Sequence, residues 1–164
     1  MAQRHAELIE HFARGGEQLA LAIRGLDRED ILVKPPGDAN VGLWSIQEVL
    51  VHLQDADLIA ADRMRRIIAE DNPTLIGFDE TRFAKNLFYE EHDANDAVTL
   101  VDVCRRQLAR VLRKLPDSAF DRAGTHNERG RLTLGEMLKS YHQHLEHHLG
   151  FIRKKRAWMG KEMW

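Results

Sequence analysis

Apolar residues recur along this chain three to four positions apart, the spacing of a single helix face, in four separate stretches. The first runs from about Gln3 to Leu26, with Leu8, Phe12, Leu19 and Ile23 on one side. Gly15-Gly16 weakens its middle, because glycine is a poor helix former. Lys34-Pro35-Pro36-Gly37-Asp38 marks a loop. The second helix starts near Ser45, which with Glu48 has the Ser-x-x-Glu spacing of a capping box. Trp44 and Val49 stand where the accompanying hydrophobic staple would form. Its apolar face continues through Leu53, Ala56, Ala60, Met64 and Ile67 and ends before Asn72-Pro73.

Residues 73–95 form a connection too apolar for a free linker, and they are expected to hold a short helix that covers part of the bundle. The third long helix runs from about Asn95 to Leu115 and stops at Pro116, which cannot continue it. A second loop, 116–131, contains Gly124 and Gly130. The fourth helix opens on Thr133-Leu134-Gly135-Glu136, another capping box, with Leu132 and Met137 at staple positions, and runs to about Trp158. No alternating strand pattern of useful length is visible. The expectation is an all-α four-helix bundle with long connecting loops, residues 1–164 making one domain.

Composition changes this picture little. With 43% apolar and 30% charged residues the chain is that of an ordinary globular protein, and a net charge of −2 gives no electrostatic reason to expect nucleic acid. Arg153-Lys154-Lys155-Arg156 reads as a solvated helix end that complements the helix dipole. The one cysteine, Cys104, excludes an intrachain disulfide, and inside an apolar pattern it reads as a small buried hydrophobe. The N-terminus carries charges where a signal peptide needs an apolar run, and no stretch approaches the ~20 apolar residues of a membrane span. A cytoplasmic protein with no membrane partner is expected.

The histidines carry the candidate chemistry. Four of nine lie in His142-Gln143-His144-Leu145-Glu146-His147-His148. On a helix only His144 and His148 have the four-residue spacing that stacks two imidazoles on one face, and they share the inward stripe with Met137, Tyr141 and Phe151. His142 and His147 point to the flanks. Two inward imidazoles are costly to bury without partners and make half of a transition-metal site. A third ligand must come from another helix. His52 borders the inward stripe of the second helix and is the best placed; His5, His11, His92 and His126 lie near a terminus, off the stripe or in loops. Glu-x-x-His, His-Glu-x-x-His and Gly-x-Ser-x-Gly motifs are absent.

The stretch Trp44-Ser45-Ile46-Gln47-Glu48-Val49-Leu50-Val51-His52-Leu53-Gln54-Asp55 resembles the second-helix motif of the DinB-like superfamily. Gly130-Arg131-Leu132-Thr133-Leu134, followed by Tyr141 and His144-Leu145-Glu146-His147-His148, is similar to its fourth-helix motif. The resemblance implies a metal-binding four-helix bundle, often a homodimer, with ligands at His52, His144 and His148. It implies either a metal-dependent hydrolase or a thiol S-transferase that uses a low-molecular-weight thiol as co-substrate. By the same resemblance His126 becomes a pocket residue outside the ligand set, although a surface-loop position is its plainer reading.

Three neutral imidazoles would leave a divalent ion at least one open position, as in catalytic sites. Zinc suits them best, with nickel, manganese or iron as alternatives. Glu48 and Asp55, about one turn to either side of His52, could orient an imidazole or face solvent, and Tyr141 and His147 flank the pair on the fourth helix. The expected function is a metal-dependent enzyme acting on a small molecule; the alternative is a non-catalytic metal-binding or stress-response module. Arg63, Arg82, Lys85 and Arg105 are the basic groups available for a carboxylate-bearing ligand, with nothing in the sequence to choose among them.

Overall fold

The computed structural model describes residues 4–162. Its helices are α1 (Ala6–Ala13), α2 (Gly15–Ile23), α3 (Arg28–Leu32), α4 (Ile46–Ala69), α5 (Glu80–Asn86), α6 (Ala94–Leu112) and α7 (Leu134–Trp158). The bundle is built from α4, α6, α7 and the broken α1–α2 pair, so the expected all-α four-helix bundle is what forms. Both capping boxes exist. Ser45 accepts from the Glu48 N–H while Glu48 accepts from the Ser45 N–H, and Thr133 and Glu136 repeat the exchange at α7. The expected start at Gln3 lies outside the described residues.

Three features differ from the sequence-based expectations. The first helix breaks at Arg14 into α1 and α2. The two glycines there do more than weaken a helix. A Cβ at Gly16 would lie 2.4 Å from the Asp102 backbone, and one at Gly15 would lie 2.6 Å from the Arg105 guanidinium. The missing side chains therefore let α2 approach α6 closely.

The second difference is a small sheet. β1 (Thr74–Leu75) pairs in parallel with β2 (Ala123–His126), which pairs antiparallel with β3 (Gly130–Thr133). Ala-Gly-Thr-His and Gly-Arg-Leu-Thr carry no hydrophobic alternation, so no period of two announces them. Gly130, at φ +73°, begins β3 where the chain turns back. A Cβ at Gly124 would lie 2.8 Å from the Pro73 carbonyl, so this glycine lets β1 and β2 meet. The strand pleat turns Gly124 and His126 inward and Thr125 outward.

The third is the basic run. Arg153 and Lys154 are exposed, but Lys155 and Arg156 are buried. The Lys155 ammonium donates to the carbonyls of Val41 and Gly42, and burial holds its pKa down at about 8. Arg156 donates to the carbonyls of Ala22, Arg24 and Lys161. These two cations fasten backbone carbonyls of the end of α2 and of the loops to α7 instead of facing solvent.

The core falls into two apolar clusters. One gathers Ile9, Phe12, Met64, Leu108, Phe120 and Leu138; the other gathers Leu19, Leu50, Leu53, Val101, Leu145 and Ile152. Between them, at the level of the α1–α2 break, lies a polar layer. Arg105 of α6, fully buried, gives a two-pronged contact to Asp57 of α4, its Nη2 2.9 Å from Oδ1. The same Nη2 donates to the Tyr141 carbonyl of α7 at 3.1 Å, and the guanidinium stacks 4.5 Å over the Phe12 ring of α1. Cys104, beside it, is partly buried and directs its thiol at the Asp57 carbonyl.

Removing one partner of a buried ion pair leaves the other charge uncompensated, which costs roughly 3–5 kcal/mol. Asp57→Ala is expected to lower unfolding stability by about that amount in urea denaturation. A loss under about 1 kcal/mol, the range of an exposed pair, would show that the layer contributes little.

Candidate metal centre

The polar layer continues from Asp57 to three histidines. His52 lies on α4, fewer than two turns before Asp57, and His144 and His148 lie on α7, after Tyr141. His52 is 1% exposed, and the other two are partly buried. The Nε2 atoms of His52 and His144 stand 3.1 Å apart, and one ligand nitrogen from each of the three rings lies within 4.8 Å of the others. Zinc holds imidazole nitrogens at about 2.0–2.1 Å, which separates two tetrahedral ligands by about 3.4 Å. The three rings are therefore spaced as a ligand set is.

Their electrostatics point the same way. Burial lowers the pKa of His52, and burial followed by the neighbouring imidazoles lowers His144 to about 4 and His148 to about 3. All three are neutral at pH 7, the form that ligates a metal. The Nδ1 atoms are buried and find no hydrogen-bond partner among the described residues. Ligating histidines usually donate this second nitrogen to an acceptor. Here the rings are held by packing instead. Trp44 lies 5.2 Å from the His52 ring, and Tyr141 lies 6.3 Å edge-on to His144.

Cavities open on both sides of the triad. One, of about 400 Å³, is lined by His52 and His144 together with Arg63, His126, Tyr141 and Glu80. The other, of about 260 Å³, is lined by His148 with Leu43, Trp44, Val49, Phe151 and Lys155. Glu80, at the start of α5, borders both, and its Oε2 lies 3.8 Å from His52 Nε2. The 73–95 connection thus covers the site as expected, but the carboxylate it delivers has no sequence signal. Glu80 occurs in no motif and follows the helix-capping Asp79.

The remaining candidates separate cleanly. His126 is buried on β2 and lines the larger cavity, which corrects the surface-loop reading. Tyr141 lines it too. His147 is exposed and packs edge-on to Phe151, beside the triad. Glu48 is buried, but it is used by the Ser45 cap and by Lys34, 3.1 Å away. Asp55 accepts from the Tyr89 hydroxyl at 2.6 Å. Neither carboxylate holds an imidazole. Of the four basic groups, Arg105 is spent on Asp57 and only Arg63 reaches the cavity.

Residues 11–152 match the model of the DinB superfamily. The chain belongs to this superfamily. Among DinB-type proteins it is similar to one of Oceanobacillus iheyensis that bears the name "putative metal-dependent hydrolase". The two are 28% identical over 71% of this chain and 69% of that protein. YfiT of Bacillus subtilis, named in the same way, is 25% identical over 73% of this chain and 67% of its own length. A solved structure of Bacillus subtilis YfiT, described as a probable metal-dependent hydrolase with an unusual four-helix bundle topology, superposes with a TM-score of 0.87. It covers 98% of this chain and 91% of that one at 20% identity, a likeness of fold. No helix among the described residues is long and apolar enough to cross a membrane.

The lowered histidine pKa values fix how the metal-free protein responds to acid. In the unfolded chain each imidazole takes up a proton below about pH 6.5, whereas in the folded chain His144 and His148 resist until about 4 and 3. The unfolded state therefore binds more protons across that window, and stability falls as pH falls. The slope is at most about 1.4 kcal/mol per pH unit for each histidine. The denaturation midpoint of chelator-treated protein is expected to drop steadily from pH 6.5 to pH 4.5, and less in His148→Gln. A flat profile in both proteins would contradict burial of neutral imidazoles.

Proposed function

We propose that this chain is a metal-dependent hydrolase of small molecules, with a divalent ion held by His52, His144 and His148. One observation carries the reading. The triad is not sealed inside the bundle: His52 and His144 form part of the wall of a cavity of about 400 Å³ and His148 part of the wall of a second, so an ion there would face substrate. Three imidazoles with an open side are the donor set of a catalytic site, whereas structural sites are closed by four protein ligands. Zinc fits this donor set best, and elemental analysis separates it from nickel, manganese and iron.

A divalent ion in such a site lowers the pKa of a bound water toward about 7. The residues of the chain supply the rest. Glu80 Oε2, 3.8 Å from His52 Nε2, stands at the edge of the triad, where its carboxylate would hold a proton as general base. The carboxylate is exposed enough to exchange that proton with solvent or with a leaving group. The two apolar clusters flanking the polar layer hold the bundle together without help from an ion.

A second reading has its own observation. The separate apolar cavity beside His148 gives the triad two chambers, which suits transfer between two substrates, such as a low-molecular-weight thiol and an electrophile. A panel of esters and amides, run beside conjugation of monochlorobimane with several thiols, separates hydrolysis from S-transfer.

His52→Ala is expected to reduce bound metal from about one ion per chain to near none, with the far-UV circular dichroism unchanged. Undiminished metal in that variant would remove His52 from the ligand set. Glu80→Gln should keep the ion while slowing turnover of any substrate found on the panel by roughly 10²–10⁴-fold. The chelator-treated wild type should still melt cooperatively; collapse to a non-cooperative state would favour an ion that only braces the bundle.

A further inference from the structure

Arg63 is 7% exposed, and no carboxylate pairs with it among the described residues. Its Nη1 donates to the Tyr141 hydroxyl at 2.7 Å, its Nη2 donates to the Ile76 carbonyl, and its Nε is buried with no partner. The contrast with Arg105 is direct: that guanidinium is buried too but has Asp57. A buried charge surrounded only by neutral groups is costly, and the cost falls when an anion arrives.

Two hydrogen-bond donors stand beside this charge, and their direction follows from what they already accept. The Tyr141 oxygen takes a hydrogen bond from Arg63, which leaves its own O–H to donate elsewhere. His126 Nδ1 accepts from the Glu128 N–H at 3.2 Å, so a neutral ring carries its proton on Nε2. Burial and the charges of Arg63 and Arg129 keep this imidazole below its ordinary pKa, hence neutral. All three side chains line the cavity that also contains His52 and His144.

The structure assigns Arg63, Tyr141 and His126 to a subsite that binds one carboxylate group of the substrate, next to the histidine triad. One buried positive charge and two neutral donors match a monoanion with two oxygens, while the other arginine of the lining, Arg129, is exposed. The exposed part of the lining carries Asp79, Glu80, Glu128 and Glu136 against the single cation Arg129, an excess of negative charge that would repel a multiply charged phosphate. The substrates are therefore small molecules bearing a single carboxylate, with the bond to be cleaved held toward the triad. Calling the ligand a substrate rests on the proposed hydrolase reading; the anion subsite itself does not, because its residues are complete without a metal.

The test uses full-length protein treated with chelator, labelled with ¹⁵N in its histidines, and titrated with propionate and with its neutral counterpart propionamide. The His126 ring is expected to show the Nε2–H tautomer, and its resonances should shift saturably with propionate and not with propionamide. Tyr141→Phe, which removes a single oxygen, should weaken propionate binding about 10–100-fold, the loss of one hydrogen bond to a charged group. Arg63→Gln should abolish it, and Arg63→Lys should restore part of it. An Nδ1–H tautomer, an equal response to the amide, or no response up to about 100 mM propionate would overturn the subsite. A wild type that holds no metal yet binds propionate would overturn the hydrolase reading and leave the subsite standing.

Discussion

The fold is organised around one buried guanidinium. Arg105 reaches from α6 to Asp57 on α4, to the Tyr141 carbonyl on α7 and over the Phe12 ring on α1, so every helix of the bundle meets at this charge. Its position explains why the core divides into two apolar clusters instead of one. It also explains why position 15 is a glycine, since a side chain there would occupy the space of the guanidinium. A pair of this kind contributes less to net stability than apolar packing of equal volume, but it tolerates only one arrangement of the helices around it. That arrangement fixes the level of α4 against α7, and with it the meeting of His52 with His144 and His148.

The site inherits its chemistry from this layer. Three imidazoles brought together away from water stay uncharged, and their ordinary pKa values fall as a result. Uncharged rings with converging nitrogens suit a divalent ion, whose full charge would then act on whatever entered the adjoining cavity. The wall of that cavity also carries Arg63, which, unlike Arg105, has no carboxylate to answer it among the described residues. The two arginines show how one layer serves both ends: a paired charge fixes the structure, and an unpaired one is left facing the space where a ligand would sit.

The long helices were legible because each carries a sustained apolar face bounded by capping residues; Ser45 with Glu48 and Thr133 with Glu136 act as their spacing suggested. The His144–His148 pair was legible from helix geometry, and His52 from its place at the edge of an apolar stripe. What lay hidden depends on contacts between distant segments. The β2–β3 hairpin has no hydrophobic period, so the burial of His126 could not be read from it. The burial of Lys155 and Arg156 is not visible in the sequence because the carbonyls of Val41 and Ala22 that they reach lie more than a hundred residues away. Arg63 was one of four equivalent basic residues until packing spent Arg105 on Asp57 and left Arg63 at the cavity. Glu80 enters only because α5 folds across the triad.

The central claim is that His52, His144 and His148 together hold one divalent ion with an open position. X-ray absorption at the metal edge of the loaded protein tests it most directly. The account predicts three imidazole nitrogens at about 2.0–2.1 Å and at least one further light oxygen or nitrogen neighbour. A spectrum with a sulfur neighbour, with fewer than three imidazoles, or with four protein nitrogens and no exchangeable ligand would contradict it.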